Sequence, residues 1–269
     1  MSHDMPLQPQ SFTGVDMTGS TFDTVRLSKS RFSVVRFDGS SFEVGSFRDI
    51  VMKKVDLVNV QITGDVLNVV INGVDVGPLI TTELNRRDPE RHLVYQEDRE
   101  TASIEDYRAG LDVVERRWRE TIDRVRAMPE GSEHASVDDE WTLVQTLRHI
   151  SFATAAWFDR VTQGVENPYA DTDLPWDEAD DDIPRPMDRD AKVPLDDAVA
   201  QWNRRVASMR EGLASLTDAD LGRTVTLGGG VFPEVEDLEL RWAVHTALTE
   251  AWEHHQFAER DLALLQEGS

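Results

Sequence analysis

From Phe12 to Leu67 a large apolar residue stands at every fifth position: Phe12, Met17, Phe22, Leu27, Phe32, Phe37, Phe42, Phe47, Met52, Leu57, Ile62 and Leu67. A period of five belongs neither to an amphipathic helix nor to a strand. It means that the backbone itself turns on a five-residue unit. A second series runs two places earlier, through Val15, Ser20, Val25, Ser30, Val35, Ser40, Gly45, Ile50, Val55 and Val60, and holds only small or β-branched residues. One large and one small inward position per unit describe a square coil of four units. Twelve units then predict about three coils, near the minimum for a stable solenoid. The phase ends after Leu67, where Asn72 falls on the large position, and Ile71, Val74 and Val76 read as a closing cap.

Beyond Pro78 the pattern changes. The stretch 78–102 is charged and mixed, with a short helix expected from Leu79 to Arg87 ahead of Pro89. From Ser103 the period is helical: Ile104, Tyr107, Leu111, Val114, Trp118, Ile122 and Val125 form one stripe, and Ser103 with Asp106 makes an N-terminal capping pair. A second helix is expected over 137–161, with Asp138 or Asp139 near its start, and a long loop rich in Pro and Asp follows to about Val193. A third starts at Pro194, and Gly228, Gly229, Gly230 and Pro233 separate it from a fourth over 235–265. Four long helices with core-facing stripes predict a bundle. The expected division is therefore a β domain over 10–77, a linker over 78–102 and a helical bundle over 103–265.

The repeat resembles the pentapeptide-repeat family over roughly residues 10–76, with a degenerate consensus in which Asp16, Thr21, Arg26, Arg31 or Ser41 precedes the central residue. The fold implied by that resemblance is a right-handed quadrilateral β-helix.

Composition narrows the function classes. With no cysteine, disulfides, zinc ribbons and a cysteine nucleophile are excluded, in keeping with a reducing cytoplasm. Neither a signal-like start nor an apolar run of membrane-spanning length occurs, so a soluble cytoplasmic protein is expected. The formal charge of −23 is unevenly placed. Residues 1–80 hold nine acids and seven bases, whereas Asp171 to Asp190 hold nine acids and two bases. A nearly neutral repeat is a poor mimic of duplex DNA. Direct nucleic-acid binding is also disfavoured, because phosphate contacts need clustered Lys and Arg. The acidic loop reads as a solvated surface segment.

Bundle interiors can assemble metal sites, which draws attention to the histidines. His149 shares a mostly apolar helix face with Gln145, Phe152, Ala153 and Ala156. On the last helix Glu250 and His254 are spaced i, i+4, one turn apart on one face. A carboxylate and an imidazole there could reach one cation, with a third donor from a facing helix and open positions left over. A hydrogen-bonded core histidine and a surface Glu–His pair would account for the same residues. His245 lies on the face opposite His254 and reads as a core or hydrogen-bonding residue.

Glu140-Trp141-Thr142-Leu143, Thr146-Leu147-Arg148-His149 and Phe152-Ala153-Thr154 resemble the second helix of the DinB-like superfamily, and Glu250 through Leu262 is similar to its last helix in actinobacterial members. The resemblance covers about residues 74–265 and implies an up-down-down-up four-helix bundle with a crossover connection. It also implies a divalent metal, zinc or nickel, held by His149, Glu250 and His254. His255 is the alternative to His254, although its i−4 partner would then be Ala251. The match is better to the Glu-x-x-x-His variant of mycothiol-dependent isomerases than to His-x-x-x-His members. It further implies a metal- and thiol-dependent S-transferase or isomerase, with mycothiol as cosubstrate and an electrophile as second substrate. The absence of cysteine requires any sulfur nucleophile to be external. Trp141, Trp157 and Trp252 are candidates for an apolar pocket, and Arg148 and Arg260 for carboxylates of the thiol; core packing is the default reading of the tryptophans, and surface ion pairs that of the arginines. The alternative is a non-enzymatic interaction protein, in which the repeat mediates protein–protein contacts or homodimerisation and the metal site is vestigial.

Overall fold

In the computed structural model the described residues are 11–22, 25–42, 46–62, 66, 68–96, 99–176 and 188–267. Gly45, Leu67 and the acidic run 177–187 lie outside them. The chain divides into two compact units, Met1–Thr63 and Gly64–Ser269.

In the first unit the five-residue period appears as a period of turns. The backbone enters the left-handed region at Gly14, Gly19, Lys29, Val34, Gly39, Asp49, Lys54 and Asn59, each five or ten residues after the last. Ser20, Ser30 and Ser40 close three of these turns by donating from their backbone N–H to the carbonyls of Met17, Leu27 and Phe37. The right-handed quadrilateral β-helix expected for 10–77 is not observed, because no strand pairing occurs among the described residues of this unit. Among the described residues four of the large residues meet their neighbours one repeat away. The rings of Phe32, Phe37, Phe42 and Phe47 pack edge to face at 5.9, 5.7 and 5.4 Å. Such a ladder leaves the side chains open, from 37 % exposure at Met17 to 73 % at Ile62. The burial that would hold a solenoid together is thus not realised.

The second unit opens on a hairpin, β1 (Val70–Ile71) paired antiparallel with β2 (Val74–Asp75). Its two-residue turn, Asn72-Gly73, has positive φ at both positions, the geometry that matches strand twist. Helices α1 (Gly77–Arg87) and α2 (Arg91–Tyr95) follow. Next comes α3 (Ile104–Arg126), which starts at the Ser103–Asp106 capping box and buries its predicted stripe. The expected second helix begins later than its pattern suggested. Asp138 and Asp139 both have left-handed φ, and a Thr142–Gln145 capping box starts α4 (Leu143–Thr154) instead. Residues Ala155–Thr162 continue it as a π-helix. Then come α5 (Leu195–Ser215), α6 (Asp218–Leu221) and a second hairpin, β3 (Thr224–Leu227) with β4 (Val235–Glu239). Cross-strand pairing of Val225 with Leu238 and of Leu227 with Val235 converts the expected start of the last helix into strand. Only then does α7 (Leu240–Glu267) begin.

Helices α3, α4, α5 and α7 pack in a ring, each against two others. Their shared core includes Tyr107, Leu111, Trp118, Leu147, Ile150, Trp202, Met209, Leu213 and Leu248, all nearly inaccessible. Burial of each such side chain stabilises the fold by roughly 1.5–3 kcal/mol. Trp118 also places its polar edge, donating from Nε1 to the Ala251 carbonyl at 2.9 Å. This contact fixes the rotation of α7 against α3, and hence which face of α7 meets α4. Among the described residues no helix is long and apolar enough to cross a membrane.

Candidate metal centre

The α4–α7 contact brings together one residue from α4 and two from α7. One ligand atom each of His149, Glu250 and His254 lies within 4.8 Å of the others. His149 Nε2 stands 3.9 Å from Glu250 Oε2, and His254 Nδ1 stands 3.6 Å from the same oxygen. His149 is buried, while Glu250 keeps about a third of its side chain open to solvent.

The tautomers follow from the hydrogen bonds. His149 Nδ1 lies 3.0 Å from the Leu174 carbonyl, and His254 Nδ1 lies 2.9 Å from the Glu250 carbonyl. A carbonyl only accepts, so each Nδ1 carries a proton, and in a neutral ring Nε2 is then the nitrogen with the lone pair. Burial, and then the His149 imidazole, drive the His254 pKa down to about 4. Burial by itself would raise the Glu250 carboxyl, but the neighbouring His149 and His254 imidazoles bring it below its ordinary value. Neutral imidazole and ionised carboxylate are the forms in which these groups bind a cation. Two nitrogen donors and one oxygen donor suit a divalent ion of the zinc or nickel type and leave coordination positions open.

Aromatic rings enclose the trio. The Trp141 centroid is 4.6 Å from His149 and 6.0 Å from His254, and Phe257 packs edge-on to His254 at 5.8 Å. Phe152, 6.3 Å from His149, leads into a second apolar cluster with Tyr169, Trp176 and Phe232. Tyr169 donates its hydroxyl to the Phe232 carbonyl. Sequence reasoning missed this cluster, because Tyr169, Trp176 and Phe232 sit in connections without a period.

The other singled-out residues have different surroundings. His255 turns toward α3, with Nε2 at 2.9 Å from Thr121 Oγ1 and its ring edge-on to Trp118 at 5.2 Å. Trp157 packs edge-on to Phe232, and Trp252 is buried beneath the Arg117 guanidinium. Arg260 pairs with Asp261 at 2.7 Å and is half exposed. Arg148 is 2 % exposed and spends its donors on loop carbonyls.

His245 is buried on α7 with no hydrogen-bond partner for Nδ1. Burial, with a smaller push from Arg99, lowers its pKa to about 4. The folded state thus refuses a proton that the unfolded state accepts near pH 6.5, so stability is lost as pH falls from 6.5 toward 4. A shift of this size is worth on the order of 3 kcal/mol. Urea unfolding of His245→Phe is expected to show a smaller stability loss than wild type over that window. An equal loss in both would remove His245 from the acid response.

The DinB superfamily profile matches residues 85–258, well over half of the chain, and spans all three members of the trio. No curated protein and no solved structure matches the chain. By the extent of that match, which runs from the end of α1 into α7 and reaches every helix of the ring, the chain belongs to the DinB superfamily.

Proposed function

We propose that this chain is a divalent-metal-dependent enzyme that uses an external low-molecular-weight thiol, of the mycothiol type, for S-transfer or isomerisation. The observation that carries the reading is that one ligand atom each of His149, Glu250 and His254 lies within 4.8 Å of the others, with both Nδ1 groups lying against backbone carbonyls. Membership in a superfamily whose domains bind divalent metals in general supports it. Zinc or nickel held there supplies Lewis-acid chemistry, lowering the pKa of a thiol or water at an open position. His149 and His254 bind as neutral donors, so Glu250 contributes the trio's single negative charge and the loaded site stays net positive toward an anionic thiolate. Trp141 and Phe257 pack against the two imidazoles and give that side of the site an apolar wall. The chain has no cysteine, so the sulfur must arrive with the cosubstrate.

Elemental analysis tests the reading. Wild-type protein is expected to carry about one zinc or nickel ion per chain, and His149→Ala to lose roughly nine-tenths of it. A wild type that stays metal-free after reconstitution would sink the proposal. With metal present, conjugation of an electrophile to mycothiol, measured against its hydrolysis, separates S-transfer from water activation.

A further inference from the structure

Five hydrogen bonds from two consecutive residues of α4 attach the crossover connection between α4 and α5. The Arg148 guanidinium supplies three: Nε donates to the Thr172 carbonyl at 2.8 Å, Nη2 to that of Asp188 at 2.6 Å, and Nη1 to that of Arg189 at 3.2 Å. One planar fork therefore holds the connection on both sides of residues 177–187. The other two bonds fall on a single residue. Leu174 donates its N–H to the Arg148 carbonyl at 3.2 Å and accepts from His149 Nδ1 at 3.0 Å. Among the described residues this buried guanidinium donates to backbone carbonyls, with the Asp188 and Asp173 carboxylates near enough to favour its charge, and it is an expensive way to hold a loop. The chemistry that justifies it sits one residue away, where the Leu174 carbonyl sets the proton and the plane of the His149 ring.

We infer that Arg148 is the positioning residue for His149, and that metal occupancy is coupled to the seating of residues 172–174 and 188–189 against α4. This rests on the metal reading proposed above. With the fork in place, the Leu174 carbonyl keeps the proton on Nδ1 and the Nε2 lone pair facing Glu250 and His254. A cation on Nε2 withdraws charge from the ring and makes Nδ1–H a stronger donor, so occupancy tightens the connection in return. Outer partners of ligating histidines typically change metal affinity 10–100-fold when removed.

The test measures zinc affinity by competition with a chromophoric chelator, together with the His149 tautomer in metal-free protein by 15N NMR. Arg148→Met is expected to bind zinc 10–100-fold more weakly than wild type and to show a mixed His149 tautomer. Arg148→Lys, which keeps the charge and loses the fork, should fall between the two. Unchanged affinity in Arg148→Met, with wild type binding zinc normally, overturns the inference and leaves the metal reading intact. A wild type that binds no zinc overturns the metal reading. The tautomer measurement then still decides the role of Arg148, because a pure Nδ1–H form in Arg148→Met refutes it. Should the variants fail to fold, hydrogen exchange on wild type replaces them. Saturating zinc is expected to slow exchange at the Leu174 amide, and unchanged exchange at saturation overturns the coupling.

Discussion

Saturating zinc or nickel is expected to raise the melting temperature of the wild-type chain by roughly 8–16 °C, and Glu250→Ala to erase that rise. A ligand that binds only the folded state, present at a thousand times its dissociation constant, stabilises by about 4 kcal/mol. For a unit of this size each kcal/mol moves the midpoint by about 2–4 °C. Glu250 is the most sensitive member of the trio because it alone offsets the cation's charge, standing within 4 Å of both imidazoles. Its side chain is about one-third exposed, so its removal should change the metal-free midpoint little. His255→Gln is the matching control. His255 is bonded to Thr121 and packed on Trp118, so that variant should lose some stability and keep the metal-induced rise. Calorimetry with and without a chelator reads both variants. A full rise in Glu250→Ala would place the cation elsewhere.

The contrast between His254 and His255 shows what could be read from the chain and what could not. Helical spacing put Glu250 and a histidine on one face, because the period of α7 is a local property of its sequence. Spacing favoured His254 over His255, whose i−4 partner is Ala251, but it could not say what either ring faces. In the fold His255 turns toward Thr121 and Trp118 on α3, while His254 lies beside His149 and Glu250. The capping box at Ser103 was legible for the same local reason, whereas the start of α4 was not. Two consecutive aspartates in left-handed conformation delay that helix, and helical periodicity carries no signal for such a break. The Leu174 carbonyl had no signature at all, because every residue has a carbonyl and only tertiary placement brings this one to His149. The five-residue repeat marks the opposite limit. Its period predicted a turn on each unit, which is local, and the turns are there. Coil-on-coil pairing is a long-range property, and the edge-to-face contacts between successive phenylalanines take its place.

Replacing Arg205 by methionine is expected to destabilise the fold by about 3–5 kcal/mol, because it leaves two buried carboxylates without their cation. Arg205 Nη1 lies 2.7 Å from Asp159, on the π-helical turn after α4, and Nη2 lies 2.8 Å from Asp173, in the crossover connection. Nη2 also donates to the Pro168 carbonyl at 2.9 Å. The side chains of the ion trio are at most 10 % exposed, so water cannot replace the lost partner. Asp173 keeps the Ala170 amide and Gln201 as donors, and Asp159 keeps Ser208, but none of these carries charge. Burial holds the Asp173 carboxyl above its ordinary pKa even with Arg205 beside it. A carboxyl raised in the folded state favours folding at low pH, and that contribution is lost as pH rises through its folded value. Loss of Arg205 raises it further, so the gap between variant and wild type should narrow on acidification. Urea unfolding at neutral and mildly acidic pH checks this, and a gap that widens would contradict the assignment. Adding Asp159→Asn and Asp173→Asn to Arg205→Met should recover part of the stability, since neutral amides are far cheaper to bury. Asp173 directly precedes Leu174, whose carbonyl lies 3.0 Å from His149 Nδ1, so the ion trio also anchors the backbone against which this candidate ligand is held.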